Sequence, residues 1–212
     1  MDDIVFVLEL IGTVAFAVSG AAVSINKRLD IFGVLFCALT TALGGGVIRD
    51  IILGNLPPAM FRDYTYVIFA AAAAVITFSV AAAFKKFYLK EITKIDRINN
   101  IFDAVGLGVF TVTGMNIAIA NGFADNAYFV VFLGVTTGCG GGILRDVLVR
   151  EVPFVFSKRV YAVASIAGGI VYYLCCVTFA AGEVISVIAG IAVIFILRIL
   201  ASVFRWDLPK AF

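Results

Sequence analysis

The sequence contains no histidine and little charge. Of its 212 residues, 14% are charged and 63% are hydrophobic, with a mean hydropathy of +1.11. A soluble domain is nearer half apolar and a quarter charged. The absence of histidine excludes zinc sites with histidine ligands and catalytic Ser-His or Cys-His pairs. The composition therefore indicates a polytopic membrane protein and argues against an enzyme.

Cysteine is also scarce, and it forms no recognisable motif. The four cysteines lie in apolar runs and none belongs to a C-x-x-C pair: Cys37, Cys139, Cys175 and Cys176. The sequence has no metal-ligand cluster and no Gly-x-Ser-x-Gly elbow. We therefore expect no catalytic residues, no metal, no cofactor and no nucleic-acid partner. Met1-Asp2-Asp3 lacks the positive start of a signal peptide, so the first apolar run is expected to remain as a membrane span.

Seven apolar runs are long enough to cross a membrane, for which about 20 residues are needed. They are Ile4–Ile25, Ile31–Leu53, Tyr64–Phe84, Ile101–Ala120, Ala127–Val149, Val160–Ala181 and Val184–Phe204. These runs predict an all-α membrane protein with seven transmembrane helices.

The basic residues lie mainly on one side of the predicted membrane. Arg62 stands alone on the N-terminal side, once Arg49 and Arg145 inside the spans are set aside. Thirteen basic residues lie on the other side: Lys27, Arg28, Lys85, Lys86, Lys90, Lys94, Arg97, Arg150, Lys158, Arg159, Arg198, Arg205 and Lys210. Because cytoplasmic loops are rich in Lys and Arg, we predict that the N-terminus faces outside and the C-terminus lies in the cytoplasm.

The sequence contains an internal repeat. Gly44-Gly45-Gly46-Val47-Ile48-Arg49-Asp50 returns 96 residues later as Gly140-Gly141-Gly142-Ile143-Leu144-Arg145-Asp146. Further aligned pairs are Glu9 with Asp103, Ser19 with Thr113, Thr40-Thr41 with Thr136-Thr137, and Pro57 with Pro153.

Each copy contains three spans, and three is an odd number, so the second copy enters the membrane inverted. We predict a first repeat over residues 1–84, a basic cytoplasmic linker over 85–100 and an inverted repeat over 101–181. The seventh helix and the C-terminal tail occupy residues 182–212. The linker is also expected to hold anionic lipid headgroups.

The two triplets, Gly44–Gly46 and Gly140–Gly142, are costly inside helices. Three glycines weaken a helix by about 2–3 kcal/mol relative to alanine. We expect them to kink or unwind the two helices beside a pore, where irregular backbone is tolerated at membrane depth. The alternative is that glycine allows close helix packing. Hydroxyl groups near the triplets either replace part of an ion's water shell or bond to their own helix, and they belong to Ser19, Thr40, Thr41, Thr113, Thr136 and Thr137.

Charges inside spans suggest functional sites. Neighbouring residues do not face each other on a helix, so Arg49 should not meet Asp50 and needs a partner from another span. Glu9 lies at a similar depth, and the mirror pair is Asp103 with Arg145. We predict contacts in both pairs, which either clamp the helices or close a pathway. Asp50 and Asp146 are expected in a vestibule or beside amides freed at the kinks.

The seven spans, the inverted halves and the doubled G-G-G-x-x-R-D motif resemble the prokaryotic trimeric intracellular cation (TRIC) channel family. The same bacterial proteins are also grouped as a glycine-transporter domain family. The resemblance implies a homotrimer in the bacterial or archaeal inner membrane. Each subunit would have its own pore for monovalent cations, potassium or sodium, between helices kinked at the triplets.

Two functions fit this architecture. The first is a potassium-type channel. The second is a secondary transporter of glycine or a similar small zwitterion, because the half-helix ends of a broken span can hold a carboxylate and a cation.

Overall fold

The computed structural model describes residues 2–157 and 160–206. This part of the chain forms ten α-helices and two π-helical turns, and it contains no strand. The helices are α1 (Asp2–Asn26), α2 (Ile31–Leu53), α3 (Ala59–Arg62), α4 (Thr65–Ala83), α5 (Lys85–Lys90), α6 (Ile92–Ala118), α7 (Ala127–Leu148), α8 (Phe154–Ser157), α9 (Ala162–Tyr173) and α10 (Glu183–Phe204). The π-helical turns, Ile119–Phe123 and Leu174–Thr178, extend α6 and α9.

Six helices are long and apolar enough to cross a membrane: α1, α2, α4, α6 with its π-helical turn, α7 and α10. The sixth predicted span is shorter than expected, since its apolar helix covers Ala162–Thr178. Length and composition therefore identify an all-helical polytopic membrane protein whose described residues contain six long spans, one fewer than the seven predicted.

The residues predicted as a linker are mostly helical. α5 covers the first part of residues 85–100, and α6 begins at Ile92, nine residues before the predicted span at Ile101. Lys and Glu favour helices and residues 85–100 contain no Gly or Pro, and Glu91 alone separates α5 from α6. Tyr88 on α5 donates a hydrogen bond to Oδ1 of Asn26 at 3.0 Å, and burial raises the pKa of Tyr88. Lys158, Arg159 and Lys210, counted above among the cytoplasmic basic residues, lie outside the described residues.

Equivalent caps start the two triplet-bearing helices. Asp30 accepts a hydrogen bond from the backbone N–H of Gly33 at 2.7 Å, and Asn126 accepts one from Phe129 at 3.0 Å. Both satisfy a backbone donor that the helix itself leaves free. Gly54 ends α2 in the left-handed conformation, with φ of 74°, which glycine adopts without strain.

The two repeats pack in equivalent ways. α1, α2 and α4 pack together in the first repeat, and α6, α7 and α9 do so in the second. The repeats meet where α1 packs against α6 and α2 against α7. At the α1–α6 contact the rings of Phe16 and Phe110 lie 5.3 Å apart. α10 packs against α6 and α9, so it extends the second repeat.

Candidate functional site

Both glycine triplets lie inside continuous α-helices. α2 is helical from Ile31 to Leu53 and α7 from Ala127 to Leu148. The predicted unwinding at the triplets is therefore absent, and the backbone there keeps its helical hydrogen bonds.

The central glycine of each triplet permits a very close crossing of α2 and α7. A Cβ atom at Gly45 would lie 2.0 Å from the carbonyl oxygen of Thr137, and one at Gly141 would lie 2.0 Å from that of Thr41. Both separations are far below van der Waals contact. The packing alternative therefore accounts for these two glycines, because side chains at either position would force the helices apart.

The neighbouring glycines are less uniform. A Cβ at Gly44 would meet Leu144 Cδ1 at 2.6 Å, and one at Gly140 would meet Ile48 Cδ1 at 3.1 Å. A Cβ at Gly46 would come no closer than 3.7 Å to a guanidinium nitrogen of Arg49. The third position of the first triplet therefore has room for a methyl group.

Three of the six predicted hydroxyl groups bond to their own helices. Thr40, Thr41 and Thr137 donate to the backbone carbonyls four residues earlier, at 2.8, 2.6 and 2.7 Å. Thr136 is half-buried. The three bonds to carbonyls of the same helix agree with the alternative in which a membrane threonine bonds to its own helix.

Ser19 and Thr113, which are equivalent in the repeat, differ. Ser19 is fully buried and accepts a hydrogen bond from Nη1 of Arg145 at 2.9 Å. Thr113 is 2% exposed, and within the described chain its hydroxyl has no hydrogen-bond partner. The hydrogen bonding of these two equivalent hydroxyls therefore differs between the repeats.

The first-repeat cluster consists of Glu9, Arg49, Asp50 and Tyr66. Nη1 of Arg49 lies 3.7 Å from Oε1 of Glu9, so the predicted contact is present. Arg49 also binds Asp50, with Nε donating to Oδ1 at 2.9 Å. The expectation that these neighbours would not meet is wrong, because the long arginine side chain folds back to the adjacent carboxylate. The Tyr66 hydroxyl donates to Oε2 of Glu9 at 2.8 Å.

The second-repeat cluster repeats this arrangement with Asp103, Arg145, Asp146 and Tyr161. Nη1 of Arg145 lies 2.7 Å from Oδ1 of Asp103, which is the other predicted contact, and Nε lies 2.8 Å from Oδ1 of Asp146. The side chain of Arg145 is fully buried, and those of Asp103 and Asp146 are at most 2% exposed. In the first-repeat cluster Glu9 is 17% exposed. The second-repeat cluster is therefore the more tightly sealed.

Asp50 and Asp146 have a second structural role. The Oδ2 atom of Asp50 accepts from the N–H of Ala59 at 2.8 Å, and Oδ2 of Asp146 accepts from that of Phe154 at 2.8 Å. These amides open the short helices α3 and α8, so the aspartates brace the segment after each triplet helix rather than amides at a kink. Ala59 and Phe154 are 95 residues apart, which makes Pro58, not Pro57, the structural equivalent of Pro153.

Several residues of the clusters escaped sequence analysis. Arg198 of α10 was assigned to the cytoplasmic surface, but it is 3% exposed and its Nη2 lies 3.6 Å from Oδ2 of Asp103. Its guanidinium also stacks over the ring of Tyr161 at 4.5 Å. Tyr66 and Tyr161 were not among the candidate residues. Their 95-residue spacing was an available signal, since it falls between the repeat offsets of 94 and 96.

The family model described as "Glycine transporter" matches this chain twice, over residues 6–82 and 100–176. The first match falls within the first predicted repeat, and the second begins one residue before the second predicted repeat. The inner membrane protein YadS of Escherichia coli is 36% identical over 97% of this chain and 94% of its own length. A membrane protein of Vibrio cholerae is 34% identical over 97% of this chain and 81% of its own length.

Solved structures decide the family. A prokaryotic TRIC channel crystallised in 0.5 M KCl is 33% identical, with a TM-score of 0.86 over 98% of this chain and all of the other. A TRIC channel orthologue from Rhodobacter sphaeroides is 32% identical, with a TM-score of 0.85 over 96% of this chain and 99% of its own. This chain belongs to the prokaryotic TRIC channel family. In this TRIC protein, the central arginine of each charge cluster lies on a helix that carries the doubled motif.

Proposed function

We propose that this TRIC protein is a channel for monovalent cations, with potassium as the principal ion. The observation that carries the proposal is the likeness of nearly the whole chain to solved TRIC cation channels. A structure from a study of conductance through such channels is 35% identical, with a TM-score of 0.83 over 97% of this chain and 96% of its own.

The proposed pore of each subunit runs between α1, α2, α6 and α7. These helices carry the arginines and carboxylates of both clusters, and inverted repeats place equivalent residues at opposite depths in the membrane. In the proposed pore, each of these arginines, bound by two carboxylates, would obstruct the path of a cation. Conduction requires that these contacts rearrange, and bending of α2 and α7 at the triplets is the proposed means.

The proposed topology keeps seven crossings, with the N-terminus outside and the C-terminus in the cytoplasm of a bacterial or archaeal cell. The helix over Ala162–Thr178 rises about 25 Å at 1.5 Å per residue, which is at the lower limit for a span. The excess of basic residues on one side supports the orientation. We also propose a homotrimer with one pore in each subunit, as in the channel family.

Anionic lipid at the basic linker is a further part of the proposal. An apolar cavity of about 610 Å³ opens between α4, α5 and α6 and is lined by Ile76, Val80, Phe84, Phe87 and Ile95, among others. Lys85, Lys86 and Lys90 lie on the adjoining α5. An acyl chain suits the cavity and a headgroup suits the lysines, each of which contributes about 1 kcal/mol near an anionic surface.

The glycine transporter is the less favoured reading. It required the ends of broken helices to hold the substrate carboxylate, and α2 and α7 are unbroken. Two of the solved relatives are described as cation channels. The description of the family model as a glycine transporter is the observation that favours the transporter.

The test uses purified protein in a planar bilayer under a KCl gradient, with glycine counterflow in liposomes from the same preparation. Discrete current steps that reverse near the potassium potential, without glycine exchange, are expected. Saturable glycine exchange without unitary currents would overturn the channel proposal.

A further inference from the structure

The two clusters have equivalent ion pairs, apart from one additional cation in the second. Glu9, Arg49, Asp50 and Tyr66 in the first correspond to Asp103, Arg145, Asp146 and Tyr161 in the second. In each, one arginine is bound by a carboxylate from another helix and by the aspartate that follows it.

The difference is Arg198. It comes from α10, which lies outside the repeat, and its Nη2 lies 3.6 Å from Oδ2 of Asp103 and donates to Oδ1 of Asn100 at 2.8 Å. Its guanidinium also stacks on the ring of Tyr161, which further fixes the position of the side chain. In the described part of the chain, Arg49 is the one basic residue ion-paired with Glu9 or Asp50.

This difference changes the charge of the clusters. With the carboxylates ionised, the first-repeat cluster has two negative charges and one positive, a net charge of −1. The second-repeat cluster has two negative and two positive charges, a net charge of zero. Both arginines there are at most 3% exposed, so water screens them little.

We infer that Arg198 sets the cation conductance of this protein by neutralising the second-repeat cluster. The inference rests on the proposed channel function. A negative site concentrates cations, and a charged cleft with low-dielectric walls does so by roughly 10-fold or more. Arg198 removes this attraction at one end of the path, where Asp103 would otherwise have a negative charge left over after pairing with Arg145. Through Arg198, α10 thereby gives the two ends of the inverted-repeat pore different net charges.

The test compares unitary K⁺ currents of the wild type with those of Arg198→Gln. Loss of the positive charge should raise the conductance by about twofold or more, a small part of the enrichment that a charged cleft can produce. Arg198→Lys, which keeps the charge, should lie closer to the wild type. Arg205→Gln is the matched control, because Arg205 is an exposed residue at the end of the same helix, and its current should not change.

A second variant keeps the test decisive if Arg198→Gln does not fold. Asn100→Asp is nearly isosteric, retains a partner for Arg198 and adds one negative charge to the cluster. It should raise the conductance in the same direction. Unchanged conductance in every folded variant, beside a conducting wild type, would overturn the inference alone. A wild type without unitary current would overturn the channel proposal and this inference with it.

Discussion

The crossing of α2 and α7 can be tested with one methyl group. In Gly45→Ala the added Cβ would lie 2.0 Å from the carbonyl oxygen of Thr137. Cβ contacts below 3.0 Å essentially never occur, so the helices must move apart by about 1 Å. The contact is to backbone, which cannot rotate away as a side chain can. Overpacking of this kind costs about 1–3 kcal/mol.

Alanine also has a compensating effect, because it favours a helix over glycine by about 0.8–1 kcal/mol. The net loss for Gly45→Ala is therefore about 0–2 kcal/mol. For a chain of this size, each kcal/mol shifts the Tm by roughly 2–4 °C. We expect thermal unfolding of the purified protein up to about 8 °C below that of the wild type.

Gly46→Ala is the matched control in the same triplet. Its Cβ would come no closer than 3.7 Å to Arg49, so only the gain in helix propensity remains. We expect an unchanged or slightly raised Tm. A Gly45→Ala protein at least as stable as Gly46→Ala would refute the reasoning, since the crossing would then tolerate a side chain at its closest point.

The remaining predictions concern the clusters. Reversing the charge of Glu9 or of Arg49 alone should lower the Tm, and exchanging the two residues should recover part of the loss; an exchange as damaged as the single variants argues against their pairing. Asp103→Ala should lower the free energy of unfolding by about 3–5 kcal/mol because it breaks a fully buried pair. Glu9→Ala, at a partly exposed pair, should lower it clearly less. Equal losses would contradict the difference in burial. Tyr66→Phe should lower the free energy of unfolding by about 0.5–1.5 kcal/mol through the lost hydrogen bond to Glu9. Tyr161→Phe should be nearly neutral, because the described chain offers that hydroxyl no hydrogen-bond partner. A larger loss for Tyr161→Phe than for Tyr66→Phe would count against these assignments.

The span positions and the cross-helix ion pairs were predictable because they depend on local patterns. Apolar length marks a span, and the sign and depth of an isolated charge restrict its partners. Ile31–Leu53 was predicted to the residue, and Glu9 and Asp103 were correctly paired with Arg49 and Arg145.

The role of the glycines was harder to predict, since sequence shows their cost but not what lies opposite. The same residue type permits a kink and a close crossing, and the choice depends on the backbone of another helix. Arg198 was misplaced for a related reason. Its position near the end of an apolar run fits a surface charge, and only the packing of α10 against α6 brings it to Asp103.

The burial of the two clusters indicates which end of the proposed pore is the gate. Separating Arg49 from Glu9, whose closest atoms lie 3.7 Å apart and of which Glu9 is 17% exposed, costs less than breaking a fully buried pair, because water reaches the freed carboxylate. Arg145 is fully buried and held by Asp103, Asp146 and Ser19. Breaking a buried pair costs about 3–5 kcal/mol, which corresponds to an open fraction of roughly 1 in 100 to 1 in 5,000. In the proposed channel, the first-repeat cluster therefore opens more readily than the second, and an opening stimulus must act on the second-repeat cluster.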